Sequence, residues 1–143
     1  MFKVLVTGGA GFVGSQLIPL LLYNDYKVRV LDNLMYGGES LLPFFYNKNF
    51  EVQIGDINDK QAVKKAVRDV DFIVHLAAIV GFPACKKHPD LAKKVNTTGT
   101  KVVERARSRD QFIIFASTGS NYGDLESDIC TEETPLHPIT EYG

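Results

Sequence analysis

The stretch TGGAGFVG, residues 7–14, joins a short apolar run to a segment with helical periodicity. Its glycines Gly8, Gly11 and Gly14 have the spacing G-x-x-G-x-x-G. A glycine turn between a strand and a helix is where an open α/β sheet binds the pyrophosphate of a dinucleotide, because exposed N–H groups of the helix face the phosphates. We predict that Gly8 makes the turn, Gly11 lets the backbone approach the phosphates and Gly14 lets the helix pack on the strand. The alternative is a tight turn that favours glycine for its shape alone.

Short apolar runs alternate with helical patterns along the whole chain. The apolar runs predict strands at residues 2–6, 27–31, 50–54, 72–75 and 112–116. The helical patterns lie at 13–22, from a cap at 58 or 59 to about 68, and from about 89 to 107. Strands that are nearly all apolar are typical of parallel sheets covered on both faces. The sequence therefore predicts an α/β fold with a doubly wound parallel sheet of about five strands and right-handed crossovers.

The second predicted strand ends in a carboxylate. Asp32 follows Gly14 by 18 residues. At this position a carboxylate accepts hydrogen bonds from the ribose hydroxyls of the adenosine and repels a 2′-phosphate, which favours NAD over NADP. Arg29 does not favour NADP, because it lies inside the predicted strand and not just after it. The alternative is a strand-end aspartate that caps a turn.

Composition excludes several classes of protein. The 143 residues have a net charge of −1 and are 45% hydrophobic, which is ordinary for one soluble globular domain. We expect neither nucleic acid nor a membrane as partner, since the charge is balanced and no 18-residue apolar run occurs. Cys85 and Cys130 lie far apart in sequence, so we expect a reduced, cytoplasmic protein with no disulfide and no metal site.

Six motifs in order resemble one family. They are TGGAGFVGS (7–15), LDNL (31–34), GDIND (55–59), HLAA (75–78), NTTGT (96–100) and FASTGSNYG (115–123). Together they resemble the extended short-chain dehydrogenase/reductase family, the NAD-dependent nucleotide-sugar epimerases and dehydratases, over essentially the whole chain. The resemblance implies a Rossmann fold with NAD as cofactor. The implied cofactor-binding residues are Gly8, Gly11, Phe12, Val13, Gly14, Asp32, Asn33, Asp56, Ile57, Leu76, Ala77, Ala78 and Asn96.

Several of these positions, and two residues near them, also have a structural interpretation. Asp56 follows a strand at the edge where ligands of open sheets bind, but it can equally cap the next helix. Ala77 and Ala78 are small enough for a cofactor to pass, or for close packing. Asn96 and Gly99 are poor residues inside a helix, so we expect a hydrogen-bonding or packing role for them. His75 is expected to be a half-buried strand residue with satisfied hydrogen bonds, not a base.

The resemblance also implies the catalytic residues. Thr118 takes the role of the catalytic hydroxyl, with Ser117 as the weaker candidate, and Tyr142 that of the general base. The base belongs to a Tyr-x-x-x-Lys pair, whose lysine would fall at position 146, whereas the chain has 143 residues. A tyrosine needs such a cation nearby, because its ordinary pKa near 10 is too high for a base at neutral pH. Tyr122 has no lysine four residues later.

The choice of reaction rests on the residues after Thr118. Family members that are 4,6-dehydratases carry an Asp-Glu pair there, whereas Gly119 and Ser120 follow Thr118 in this chain. This departure favours an epimerase like UDP-galactose 4-epimerase, with a UDP-sugar as substrate. Reductase, decarboxylase and dehydratase activities stay open. A Rossmann module that binds NAD without catalysis, as a sensor or pseudo-enzyme, is the alternative of a different class.

The family usually runs to about twice this length. We therefore expect residues 1–143 to be an NAD-binding Rossmann domain that is incomplete at its C-terminal end, without the substrate-binding domain and inactive on its own. Family members usually form dimers through the long helix before the fifth strand and the catalytic helix. We expect a homodimer for the parent protein, and self-association of this chain through an unpaired sheet edge.

Overall fold

Five parallel strands form one sheet in the order β3-β2-β1-β4-β5. A computed structural model describes residues 1–124, 129–140 and 142–143 of the chain. The strands are β1 (Lys3–Thr7), β2 (Lys27–Asp32), β3 (Phe50–Ile54), β4 (Phe72–His75) and β5 (Phe112–Phe115). This sheet confirms the predicted fold class, and every predicted strand lies within one residue of its observed bounds.

Helical segments cover both faces of the sheet, as the doubly wound prediction requires. One face carries α1 (Phe12–Tyr23) and a 3-10 helix (Glu39–Phe44). The other face carries α2 (Lys60–Ala66), α3 (Phe82–Lys87) and a continuous helical stretch made of α4 (Pro89–Ala92), a π-helical segment (Lys93–Gly99) and α5 (Thr100–Ala106). A short 3-10 helix (Gly119–Tyr122) follows β5.

Two apolar clusters, one on each face, make up the core. Alternate residues of β1 enter different clusters: Val4 and Val6 pack under α1, while Leu5 packs under α2 and α5. Burial on both faces explains why the central strands β1 and β4 are nearly all apolar, whereas the apolar edge strand β5 is largely exposed. All five parallel strands end at the same side of the sheet, which we call its carboxyl edge. Because both clusters pack on these strands, the sheet keeps the residues of this edge in fixed relative positions.

The predicted helix at 89–107 begins at Pro89 as expected but is not a uniform α-helix. Its middle, Lys93–Gly99, is π-helical, a form that occurs mostly as local bulges and is frequent at functional sites. Gly99 lies in this segment, and a methyl group there would come within 2.5 Å of the Ile57 side chain. Asn96 forms two hydrogen bonds with the backbone of Ile79. The expected packing and hydrogen-bonding roles of Gly99 and Asn96 are therefore confirmed.

Three helical segments were not predicted from the sequence, and one of them is the 3-10 helix Gly119–Tyr122 after β5. The 3-10 helix Glu39–Phe44 lies after β2, and α3 lies between β4 and Pro89. The available signal for α3 was Pro83, since proline is favoured in the first turn of a helix. Pro19 lies inside α1, which continues through it to Tyr23.

Arg29 has a structural role that accounts for its place inside β2. Its guanidinium donates to the carbonyl oxygens of Ala66 at 2.7 Å and Arg68 at 2.6 Å, beyond the last turn of α2, and to Glu51 at 2.8 Å. Burial raises the pKa of Glu51, but hydrogen bonds and charge from Lys3 and Arg29 outweigh this and leave the pKa below its ordinary value. The Arg29 guanidinium thus binds the carbonyl oxygens at the end of α2.

Candidate cofactor and active site

The glycine turn after β1 lies flush against the end of β4. Gly8 has a φ of +69°, which side chains disfavour, and a methyl group there would lie 2.7 Å from the backbone nitrogen and Cα of Ala77. A methyl group at Gly14 would overlap the carbonyl oxygen of Gly9. Only glycine fits both positions, because the obstructing atoms belong to the backbone and cannot rotate away.

The turn leaves donors free at the start of α1. Gly8 N–H donates to Leu31 and Gly11 N–H to Gly8, while Ser15 makes the first hydrogen bond of the helix, to Gly11. Within the described part of the chain, the N–H groups of residues 12–14 have no hydrogen-bond partner. The first turn carries no acidic residue, and the Phe12 side chain is 85% exposed. These donors and the positive end of the helix dipole form an environment that suits a phosphate.

Asp32 lies beside this turn at the end of β2. One carboxylate oxygen accepts from Ala10 N–H at 3.0 Å and the other from Leu34 N–H at 2.8 Å. The carboxylate therefore caps the loop after β2, which was the alternative considered for it. An ionised carboxylate has about four lone-pair sites, so two hydrogen bonds leave acceptor capacity for ribose hydroxyls. The two roles are compatible.

Asn33 and Asp56 meet where β2 and β3 end. The Asn33 amide donates to Asp56 at 3.4 Å, and Asp56 also accepts from the backbone N–H of Asn58 at 2.8 Å and from its side chain at 2.9 Å. Burial raises the pKa of Asp56, but the hydrogen bonds from Asn58 and Asn33 outweigh it, so the pKa lies below its ordinary value and the group is ionised near neutrality. The helix cap is Asp59, which accepts from Gln61 N–H at 2.8 Å.

The side chains of the remaining predicted cofactor residues differ in their exposure. Ile57 is buried against Gly99, so its side chain belongs to the core. Leu76 packs in the cluster under α1, Ala77 touches Gly8, and Ala78 is exposed at the edge. The Asn96 side chain accepts from Ile79 N–H at 2.8 Å and donates to the Ile79 carbonyl at 2.9 Å. Asn96 thus fixes the shape of the loop at 76–81.

His75 is more buried than expected, with 1% of its surface exposed. Thr100 donates its hydroxyl to the Asn96 carbonyl at 2.8 Å, so its oxygen accepts from His75 Nε2 at 3.0 Å. Nδ1 then accepts from the Thr7 hydroxyl at 2.6 Å, and the Thr7 oxygen accepts from Ala77 N–H at 3.3 Å. A neutral imidazole with its proton on Nε2 satisfies every bond, and burial lowers the pKa of His75 to about 4. The expectation of satisfied hydrogen bonds is confirmed.

The loop after β5 holds the predicted hydroxyl residues. Thr118 is half-buried, and its oxygen accepts from Ser120 N–H at 3.2 Å, which leaves its own proton free to donate. Ser117 is exposed and accepts from the Asn121 amide at 2.7 Å. The Tyr122 hydroxyl donates to the Thr131 carbonyl at 3.2 Å.

Tyr142 lies in a cleft of about 340 Å³ beside the helices that follow β4. The other lining residues are Phe82, Cys85, Lys86, Pro89, Ala92, Lys93, Asn96 and Thr97. A methyl group at Gly143 would overlap the carbonyl oxygen of Ser120. The residue after Tyr142 therefore touches the loop of Thr118, so the structure brings the segments of the two predicted catalytic residues together.

The edge as a whole suits a dinucleotide. The turn offers N–H groups that have no partner among the described residues, and carboxylates lie at the end of β2 and just after β3. Some parts of the edge were missed from the sequence: Gly9, whose added methyl would lie 2.8 Å from Val30, the partners of His75, and Ser40, which bonds to Ala10. Gly9 and Thr7 stand within the glycine motif and could have been found; Ser40 and Thr100 carry no local signal.

The described residues include no grouping of three or more His, Cys, Asp or Glu side chains that could hold a metal ion. Cys85 is buried and Cys130 exposed, and both are free thiols. Over the same described part of the chain, none of the helices has the length and apolar character needed to cross a membrane.

The fold and this edge define a Rossmann domain of the dinucleotide-binding type. The chain matches the model of the NAD dependent epimerase/dehydratase family over residues 4–143, and it belongs to this family. It is 34% identical to a UDP-glucose 4-epimerase of Lactobacillus helveticus over an alignment of 145 residues. This alignment covers 99% of the chain and 43% of that relative.

Solved structures agree with the family assignment. The UDP-Glc/GlcNAc 4-epimerase from Campylobacter jejuni superimposes with a TM-score of 0.92 at 30% identity, over 100% of this chain and 45% of that one. The dTDP-glucose 4,6-dehydratase from Bacillus anthracis, in complex with NAD, superimposes with a TM-score of 0.83 at 30% identity, over 99% of this chain and 46% of that one. The chain thus spans less than half the length of these relatives, and the expected cofactor NAD is confirmed at the level of the family.

We predict that His75 makes the fold sensitive to mild acid. Burial lowers its pKa to about 4 in the folded chain, against the ordinary value of 6.5 in the unfolded chain. The unfolded chain therefore binds the proton more readily, so the stability contributed by neutral His75 is complete above pH 6.5, falls progressively between pH 6.5 and 4, and is lost below pH 4. The full loss amounts to about 3 kcal/mol of the free energy of unfolding.

Urea unfolding at about pH 7 and about pH 5.5 measures this effect above the range in which carboxylates titrate. The free energy of unfolding should fall less between the two pH values in His75→Gln than in the unaltered chain, by about 1 kcal/mol. His88→Gln, at an exposed histidine, is the matched control and should leave the loss as it is. Equal pH dependence in the unaltered chain and in His75→Gln would contradict the assignment.

Proposed function

We propose that this chain is the NAD-binding part of a nucleotide-sugar 4-epimerase that acts on a UDP-sugar. The observation that carries the proposal is the glycine turn, which leaves three helix N–H groups free beside the carboxylate of Asp32. Relatives named as UDP-glucose 4-epimerases and their similar fold support the substrate class. Residues 1–143 are the cofactor domain in this proposal, and the substrate-binding part lies outside them.

The proposed chemistry assigns one task to each catalytic residue. NAD, when bound, accepts and returns the hydride at C4 of the sugar. Tyr142 takes the proton of the sugar hydroxyl as general base, and Thr118, whose own proton is free, donates a hydrogen bond to the same sugar oxygen. Ser117 is the weaker candidate for that hydrogen bond, because it is exposed and already accepts from Asn121.

The residues after Thr118 favour epimerisation over dehydration. Elimination of water needs an acid that protonates the leaving hydroxyl, and Gly119 and Ser120 offer no carboxyl group there. Among the described residues, none apart from its chain neighbours comes within 4 Å of a methyl group added at Gly119. Relatives of both kinds are similar to this chain, so this argument rests on the loop and not on identity.

A domain that binds NAD without catalysis is the second candidate function. The glycine turn and Asp32 would serve such a domain equally well, because their proposed contacts are with the cofactor and not with a sugar. Reductase and decarboxylase activities need the same cofactor edge. The substrate-binding part of the protein would decide among them.

We predict that the chain binds NAD more tightly than NADP, by about tenfold, because the Asp32 carboxylate repels a 2′-phosphate. Titration calorimetry with both cofactors measures the ratio. Asp32→Asn keeps the size of the side chain and removes the charge, so the ratio should fall towards one. Asp110→Asn, at an exposed aspartate before β5, is the control. An unchanged ratio in Asp32→Asn would refute the role of this carboxylate.

A second prediction concerns turnover. A polypeptide limited to residues 1–143 should interconvert UDP-glucose and UDP-galactose far more slowly than the rate of about ten per second that is ordinary for an enzyme. The reason is that this polypeptide holds no lysine four residues after Tyr142 to lower the pKa of a tyrosine base. A coupled epimerase assay at high protein concentration measures the rate. A rate near the ordinary value would mean that the active site is complete in these residues, and Tyr142→Phe beside Tyr122→Phe would then show whether Tyr142 is the base.

The same proposal extends to association. In the part of the chain that the structure describes, β5 pairs with β4 on one side only, and Phe112 and Ile114 of β5 are 65% and 52% exposed. We infer that the chain self-associates through this strand, whereas the parent forms a homodimer through its helices.

Light scattering over a dilution series tests the association. Ile114→Lys should shift the chain towards monomer, because a charge on an edge strand opposes pairing. Ile54→Lys, at a 70% exposed position on the opposite edge strand β3, is the matched control. A monomer at every concentration in the unaltered chain would remove the proposal.

A further inference from the structure

We propose that Ser40 is a positioning residue for the phosphate-binding turn, a role that rests on the proposed NAD binding. Its hydroxyl donates to the carbonyl oxygen of Ala10 at 2.8 Å, across 30 residues of sequence. Ala10 lies in the middle of the glycine turn, between Gly8 and the start of α1. Ser40 itself is half-buried and belongs to the 3-10 helix Glu39–Phe44.

The hydrogen bonds of the turn explain why this contact matters. The carbonyl oxygen of Gly8 accepts from Gly11 N–H at 3.1 Å, and that of Gly11 accepts from Ser15 N–H at 2.9 Å. Both of these partners are backbone groups of the turn or of α1. The Ala10 carbonyl is held by a side chain from a different segment, Ser40.

Ala10 is therefore fixed from both of its peptide groups. Its N–H donates to Asp32 at 3.0 Å, and its carbonyl accepts from Ser40. A carbonyl oxygen turned towards a phosphate would repel it, whereas N–H groups attract it. By holding the Ala10 oxygen, Ser40 keeps the turn in the orientation that leaves the N–H groups of residues 12–14 free for an anion.

The segment that carries Ser40 is itself firmly anchored. Leu41 is 1% exposed in the cluster under α1, and its N–H donates to Gly38 at 3.0 Å. At the other end of the same loop, Leu34 has a φ of +57° and is held there by Asp32. The loop after β2 thus joins the ribose side of the edge to the phosphate side through one short rigid element.

If Ser40 has this role, its removal should weaken the binding of ligands that carry a phosphate and not of ligands that lack one. Ser40→Ala should weaken binding of NAD and of ADP about fivefold, the effect of one net hydrogen bond. Adenosine, which has no phosphate, should bind within about twofold of the unaltered chain, because the contacts of Asp32 and Asp56 are untouched. Amide exchange without ligand should become faster at Gly11, since the turn loosens.

The experiment compares Ser40→Thr with Ser40→Val, which have nearly the same shape and differ in the hydroxyl. Calorimetry with NAD and ADP, and an amide-shift titration with adenosine, supply the three affinities. Ser40→Thr should match the unaltered chain, and Ser40→Val should match Ser40→Ala. Glu39→Gln, the exposed neighbour on the same 3-10 helix, is the control for the segment.

The outcomes separate this inference from the proposed function. If the unaltered chain fails to bind NAD, the proposed function falls and the role of Ser40 falls with it. If NAD binds and Ser40→Ala and Ser40→Val bind NAD and ADP as tightly as the unaltered chain, only the role of Ser40 is overturned. If these variants lose adenosine to the same extent as NAD, Ser40 supports the loop as a whole and not the phosphate turn, which also overturns the inference.

Discussion

The close approach of Gly8 to Ala77 is the contact on which the rest of the edge depends. It places the end of β1 directly on the end of β4, a geometry that no side chain permits. The close contact of Gly14 with the backbone of Gly9 is a second constraint of the same kind, and it packs the start of α1 against the turn. With both contacts made, the first N–H groups of α1 point to the carboxyl edge and stay free, as an anion-binding helix requires.

Around this turn, neutral hydrogen-bonding groups lie in the interior and charged groups lie at the solvent-exposed edge. The buried chain from Ala77 through Thr7, His75 and Thr100 to Asn96 contains no charge, because burial keeps His75 in its neutral form. Carboxylates appear where the edge opens to solvent, at the ends of β2 and β3, where water and a ligand can compensate their charge. Polar groups inside and ionised groups outside are the arrangement that costs the least desolvation.

The family to which the chain belongs includes both epimerases and dehydratases, and the cofactor edge is common to them. Differences in reaction must therefore come from the few residues that reach the sugar. In the proposed function those are the loop of Thr118 and the segment of Tyr142, and the fold brings these two segments into contact through Ser120 and Gly143. The cleft beside Tyr142 is lined by residues of α3, α4 and the π-helical segment.

The sequence by itself determined the parts of the protein that follow from local chemistry. Central strands that are buried on both faces are nearly all apolar, and short runs rich in apolar residues also mark the edge strands, so β1 to β5 could be predicted almost to the residue. Glycines at a strand–helix turn and a carboxylate at the next strand end carry their own geometric meaning, which is why the turn and Asp32 were found. The poor helix formers Asn96 and Gly99 likewise indicated a role in tertiary contacts, but the sequence did not identify the residues that they contact.

Only the tertiary structure decided what those residues touch. The π-helical register of Lys93–Gly99 depends on the fit of Gly99 against Ile57, two segments that are 42 positions apart in sequence. The complete burial of His75 and the contact of Ser40 with Ala10 likewise join residues distant along the chain. Hydrogen bonds of this kind leave no periodic or local trace, because serine and threonine occur at the surface as often as at a site. Their roles exist only once the sheet has brought the loops to one edge.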